Sequence, residues 1–158
     1  MPSGGFLIEV KGLDKVIKAI GEMADPRHVG IYLAKAGQEA ASKVLQTKGL
    51  QNYPAETERN KPPVPYYIRG RGTETAHGNL NNSERLGTQF YIDRDVSNYI
   101  TKVGNRASYA DDVVGDNQKE LFGIIGWRKL REVAEEKMDL ISQIYEAWIT
   151  KMIKDLGL

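Results

Sequence analysis

Two histidines, His28 and His77, are the side chains in this sequence best suited to holding a metal or moving a proton near neutral pH. They form no H-x-x-x-H pair, and no carboxylate stands at ligand spacing around either, so both read as surface residues. The acidic pairs Asp111-Asp112 and Glu135-Glu136 could serve a hydrolase only if carboxylates from separate elements converged with them. The chain contains neither a G-x-x-x-x-G-K-[ST] phosphate cradle, nor a dinucleotide glycine fingerprint, nor a G-x-S-x-G elbow. With no cysteine there is no disulfide, no thiolate metal site and no sulfur nucleophile. These observations point away from an enzyme and call for no cofactor and no metal.

The densest unusual feature is Arg59-Asn-Lys-Pro-Pro-Val-Pro-Tyr-Tyr-Ile-Arg-Gly-Arg71. Arg59, Lys61, Arg69 and Arg71 interleave with Tyr66 and Tyr67 on a proline-stiffened, extended backbone. One reading is a contact arm, with tyrosine supplying apolar area and arginine supplying charge towards a partner protein or a DNA backbone. The other is a surface loop whose tyrosines fold back as a lid. The surrounding stretch, from Lys48 to about Arg85, has no apolar periodicity and holds four of the six prolines. A loop of that length inside a compact domain points to function or to ordering by a partner.

Composition narrows the partners. The 22 basic and 21 acidic residues nearly cancel, giving +1, so a dedicated nucleic-acid or membrane-surface binder is disfavoured. An apolar share of 41% over 158 residues suits one soluble domain that buries its own core. No window approaches the roughly 20 apolar residues of a membrane span. The opening MPSGGFLIEVKGL lacks the basic and apolar regions of a signal peptide, so an unexported protein is expected.

The elements that must position these residues follow from periodicity. Phe6 to Val10 reads as a strand, and Leu13, Val16, Ile17 and Ile20 as one face of a first helix ending near Met23. Asp25-Pro26 starts a second helix: a capping side chain, then a residue whose backbone is preset for the first turn. That helix runs to about Thr47, with Leu33, Gly37, Ala40, Ala41, Val44 and Leu45 inward, and its small residues predict a close approach to another element. Leu86 to Ile92 and Ser97 to Val103 read as an antiparallel hairpin turning at Asp93-Arg94-Asp95, with Tyr99, Thr101 and Val103 on one side. A final helix is expected from Trp127 or Arg128 to about Leu156, striped by Leu130, Val133, Ala134, Lys137, Ile141, Ile144, Tyr145, Trp148 and Met152. At about 1.5 Å per residue it would be roughly 40 Å long, more than a small domain needs. Tyr145, Trp148 and Met152 are therefore candidates for an interface with a neighbouring subunit. The predicted class is α+β: two N-terminal helices, a small, mainly antiparallel sheet, and a long C-terminal helix packed on it.

Four segments in this order resemble the tail-completion or neck protein family of long-tailed double-stranded-DNA phages. They are Ile8-Glu-Val-Lys-Gly-Leu-Asp-Lys-Val-Ile17; the run 62–70 with Ser83-Glu-Arg-Leu-Gly-Thr-Gln-Phe-Tyr91; Asn105-Arg-Ala-Ser-Tyr-Ala-Asp-Asp-Val-Val-Gly115; and Gly126-Trp127. Each is short; the strength lies in order and spacing. Gly-Trp-Arg-Lys-Leu stands where many members place Arg-Pro-Ala, the mark of a divergent branch. The resemblance implies a structural virion protein at the head–tail junction, made in the host bacterial cytoplasm. Its partners would be copies of itself in a ring (six by resemblance), neighbouring neck and tail proteins, and DNA in the channel, with no membrane and no catalytic residues. A tail terminator, a head-closure protein, or a small nucleic-acid-binding module using the 59–71 stretch are the alternatives.

Overall fold

A computed structural model of the chain describes residues 6–9, 18, 25–52, 54 and 86–157. In chain order the elements are β1 (Phe6–Glu9), α1 (Pro26–Leu45), β2 (Phe90–Asp95), β3 (Ile100–Asn105), α2 (Ala110–Val114), α3 (Glu120–Ile124), α4 (Leu130–Glu136) and α5 (Met138–Asp155). The class is α+β, with a three-stranded sheet ordered β1-β3-β2. β1 runs antiparallel to β3 in the register Phe6↔Val103, Leu7↔Lys102, Ile8↔Thr101 and Glu9↔Ile100. β2 and β3 are neighbours joined by four residues, too few for a parallel crossover, so they too are antiparallel. Apart from Lys18, the expected first helix lies outside the described residues, as does the expected loop from 55 to 85.

The described residues fall into two compact units. One comprises 6–9, 18, 25–44, 92–103 and 134–157, and is built on the long helices. Asp25 caps α1 as expected, its carboxylate accepting the Arg27 N–H at 2.9 Å ahead of Pro26. The inner face of α1 is Val29, Leu33, Ala36, Ala40, Ala41 and Val44, all buried. Gly37 sits among them because nothing larger fits. A Cβ there would collide with the Thr101 hydroxyl of β3 and lie 2.9 Å from the Tyr145 hydroxyl of α5. Both long helices thus pack on the sheet face that carries Thr101 and Val103, while Lys102 points to solvent.

The hairpin's turn lies later than Asp93-Arg94-Asp95, which belong to β2; it is Val96–Tyr99. The Asp95 carboxylate decides this by accepting the backbone N–H of Ser97 at 3.1 Å and of Asn98 at 3.0 Å. Tyr99 then closes the turn in the left-handed region, at φ 57°. Strand structure also begins later than Leu86, because Leu86–Thr88 is a short 3-10 turn.

The expected single C-terminal helix is two helices. Lys137 leaves helical geometry at φ −96°, ψ 13°, and α5 restarts from its carbonyl. Its ammonium donates to the Lys43 carbonyl in the last turn of α1, one of the acceptors a helix end leaves without an internal partner. The 18 residues of α5 alone span about 27 Å.

The other unit comprises 45–52, 54, 86–91 and 104–133 and is built on turns. Gly49, at φ 86°, turns the chain after α1, receives an N–H from Arg128 on its carbonyl at 2.9 Å, and leaves Leu50 fully buried. Asn105 is buried and bridges two strands of chain. Its amide donates to the Leu86 carbonyl at 2.8 Å, and its oxygen accepts the Ala107 N–H at 2.9 Å. The Tyr109 hydroxyl accepts the Leu86 N–H, and the Gln118 amide donates to the carbonyls of Val113 and Trp127. Around these lie Ala110, Val113, Val114, Ile125, Trp127, Leu130 and Val133, all buried.

Candidate functional site

Among the described residues the groups with reactive potential do not converge. His28 is exposed in the first turn of α1. Asp111 accepts the Asn117 amide at 2.7 Å, Asp112 pairs with Lys119 at 2.6 Å, and Asp116 takes a two-pronged contact from Arg131 at 2.9 to 3.1 Å. These acids stitch the turns around α2 and α3. Glu135 and Glu136 are exposed on α4. Among the described residues no group of three or more His, Asp or Glu side chains could hold a metal ion. No helix among them is long and apolar enough to cross a membrane.

Functional groups do gather on the outer surface of α1 and α5. Tyr32, Lys35 and Glu39 follow one another along α1 at intervals of three and four residues, and Trp148, Lys151 and Asp155 repeat aromatic, lysine, acid at the same intervals on α5. The two triplets meet head to tail. The Tyr32 hydroxyl donates to the Asp155 carboxylate at 2.8 Å, and the Trp148 indole N–H donates to Glu39 at 2.8 Å. One contact advances along α1 as the other retreats along α5, so the helices cross antiparallel. The rings of Tyr32 and Trp148 stand edge to face at 6.3 Å. The Lys35 ammonium lies 5.7 Å from the first ring and 5.9 Å from the second, in cation–π range of both.

The electrostatics follow from these contacts. The Tyr32 hydrogen bond, then the bond from Lys151, hold Asp155 below the usual carboxylate value; the same bond to Asp155 pushes Tyr32 up. Lys151 sits 3.1 Å from Asp155. Deeper in, burial raises the Tyr145 phenol, opposed by its hydrogen bond with Thr101. The cluster has no nucleophile beside a base. Its chemistry is that of contact: an aromatic pair, amphipathic and half-buried, rimmed by charges.

Of the residues named from sequence, Trp148 belongs to this cluster. Tyr145 and Met152 are 4% and 1% exposed, held in the chain's own core and not on its surface. Arg59, Lys61, Tyr66, Tyr67, Arg69 and Arg71 lie outside the described residues. Tyr32, Lys35, Glu39 and Asp155 were not singled out, although the repeated aromatic-x-x-Lys-x-x-x-acid spacing was legible in the two helices. No protein-family model, curated protein or solved structure matches the chain.

Proposed function

We propose that the chain is a structural virion protein of the phage head–tail junction, one subunit of a ring that joins or completes the tail. The observation that carries this reading is where the resembling segments fall in the fold. In 105–115, Asn105, Ala107, Ala110, Val113, Val114 and Gly115 are buried, and Tyr109 ties down Leu86, itself part of the second segment. Trp127 of the fourth segment is buried, with its carbonyl held by Gln118. A resemblance carried by turn-building residues implies a shared frame, not shared chemistry. That is what a subunit working by shape and contact requires.

In this reading the acids are turn staples, the α1–α5 cluster braces two helices, and the work is done at surfaces. Arg59, Lys61, Tyr66, Tyr67, Arg69 and Arg71 are assigned as the arm that reaches neighbouring neck or tail proteins. Removing the gene from the phage and supplying it from a plasmid tests the proposal. Filled heads and finished tails should accumulate unjoined, and the plasmid copy should restore infectious particles. Undiminished assembly without the gene would sink the head–tail assignment.

A further inference from the structure

The α1–α5 cluster holds more recognition chemistry than a brace needs. Its two ring centroids lie 6.3 Å apart, and the Lys35 ammonium stands 5.7 and 5.9 Å from them, so the three form a nearly equilateral triangle. Two half-buried rings thus make the walls of a notch, and an exposed lysine of the same chain fills it. Lys35 makes no ion pair with a described carboxylate, although Glu39 follows it by one helical turn. Among the described side chains the rings alone hold this ammonium, and at an exposed site that hold is weak.

The two acids of the cluster differ in what they have left to offer. Asp155 accepts from Tyr32 and is neutralised by Lys151 at 3.1 Å. Glu39 accepts the Trp148 indole N–H on Oε2, and no described lysine or arginine pairs with it. A carboxylate has about four lone-pair sites, so Glu39 keeps acceptor capacity and an uncompensated charge beside the Trp148 ring. An aromatic pair with one uncompensated carboxylate selects a cation. Guanidinium suits it better than ammonium. It is planar, stacks on aromatic faces, is weakly hydrated, and presents several N–H donors to one carboxylate.

We propose that Tyr32, Trp148 and Glu39 form a binding site for an arginine side chain of a partner protein, with Lys35 as the resident cation that the arginine displaces. The notch opens to solvent at Lys35 and Glu39, both exposed. A cation in an open, two-walled site is bound weakly by itself, so the arginine arrives on a protein whose other contacts supply the remaining affinity. The site stands without the head–tail reading, and it can be measured on the purified chain.

Titration of the full chain with N-acetyl-arginine amide at constant ionic strength, followed by NMR of the two indole N–H groups, tests it. The Trp148 signal should shift and saturate with a dissociation constant on the order of 10 mM. The signal of Trp127, which is 5% exposed, should stay in place. N-acetyl-lysine amide should bind at least about threefold more weakly. Lys35→Gln, at an exposed position, removes the resident cation and should tighten arginine binding by about threefold to tenfold. Glu39→Gln keeps an acceptor for the indole but loses the charge, and should weaken binding by at least about threefold. Tyr32→Leu, checked for folding by circular dichroism, removes one wall and should abolish saturation; the Lys35 and Glu39 variants carry the test if it does not fold. A Trp148 signal that does not move overturns the site. So does arginine binding that Lys35→Gln leaves unchanged, or equal affinity for the two amides, which would mean charge attraction alone. Each of these results leaves the head–tail role standing, and virion assembly without the gene would remove that role while leaving a measured site intact.

Discussion

The two compact units are held by different forces, and the difference explains which parts of the chain declare themselves in sequence. In the unit containing 25–44 and 134–157, long helices bury periodic apolar faces, and the closest approach is backbone against side chain at Gly37. Its side-chain hydrogen bonds between helices, at Tyr32, Trp148 and Lys137, lie at the surface. In the unit containing 104–133, α2 and α3 are five residues each, far below the length at which a helix sustains itself. There, Asn105, Tyr109 and Gln118 answer backbone groups in the interior and fix the path of the turns. One unit depends on shape, the other on satisfied polarity.

The largest expected effect breaks the comparison on the side of shape. Gly37→Val places two methyl groups where the Thr101 hydroxyl and Tyr145 already stand, and neither neighbour can retreat without moving β3 or α5. Overpacking of this kind should cost roughly 3 kcal/mol, read as a lower urea midpoint. A midpoint unchanged from wild type would mean that close packing at α1 is not what holds this unit. The next effect tests polarity. Asn105→Ala removes the donor to the Leu86 carbonyl and the acceptor for the Ala107 N–H, leaving both without these partners in a buried setting. A loss of roughly 2 kcal/mol is expected, with early exchange of the Ala107 amide. Asn105→Leu, similar in size but apolar, should be no better than Asn105→Ala. If the leucine variant matches wild type, the turn unit is held by packing like its counterpart, and the contrast fails.

What the sequence disclosed follows the same division. The inner face of α1 was legible at Leu33, Gly37, Ala40, Ala41, Val44 and Leu45, and every one of them is buried, because a period of 3.6 leaves a mark on residue type. The stripe through Ile141, Ile144, Tyr145 and Met152 was legible for the same reason. The break at Lys137 was not, since the apolar stripe runs on past it and residue type alone does not mark a one-residue departure from helical geometry. Nor was the turn at Val96–Tyr99. Asp93 and Asp95 are equivalent in composition, and only the hydrogen bonds that Asp95 accepts distinguish them. Of the candidate site, the aromatic of α5 was visible as part of an apolar stripe. Its partners Tyr32, Glu39 and Asp155 were not, because pairing across helices depends on contacts 109 and 123 residues away in sequence.

The smallest expected effect concerns that surface brace, where shape gives way to charge within the helical unit. Asp155 has its carboxyl lowered from 3.8, chiefly by the Tyr32 hydrogen bond, and Tyr32 has its phenol raised from 10.0, chiefly by the same bond. A lowered acid contributes stability above its unfolded value and loses it as pH falls through the folded one. A raised phenol contributes below its unfolded value and loses it as pH rises through the folded one. The Tyr32–Asp155 contact should therefore persist across neutral pH and open at both extremes, below 3.8 and above 10.0. Carbon-detected NMR should show the Asp155 carboxyl titrating below 3.8 and the Tyr32 ring carbon bearing the hydroxyl titrating above 10.0. In Tyr32→Phe the Asp155 carboxyl should move back towards 3.8, short of it because Lys151 still donates. In Trp148→Phe, which removes the bond to Glu39 alone, Asp155 should keep its value. An Asp155 that titrates at 3.8 in the wild-type chain would mean that the helices are held by their buried faces alone, sharpening the division between a unit built on shape and one built on polar contacts.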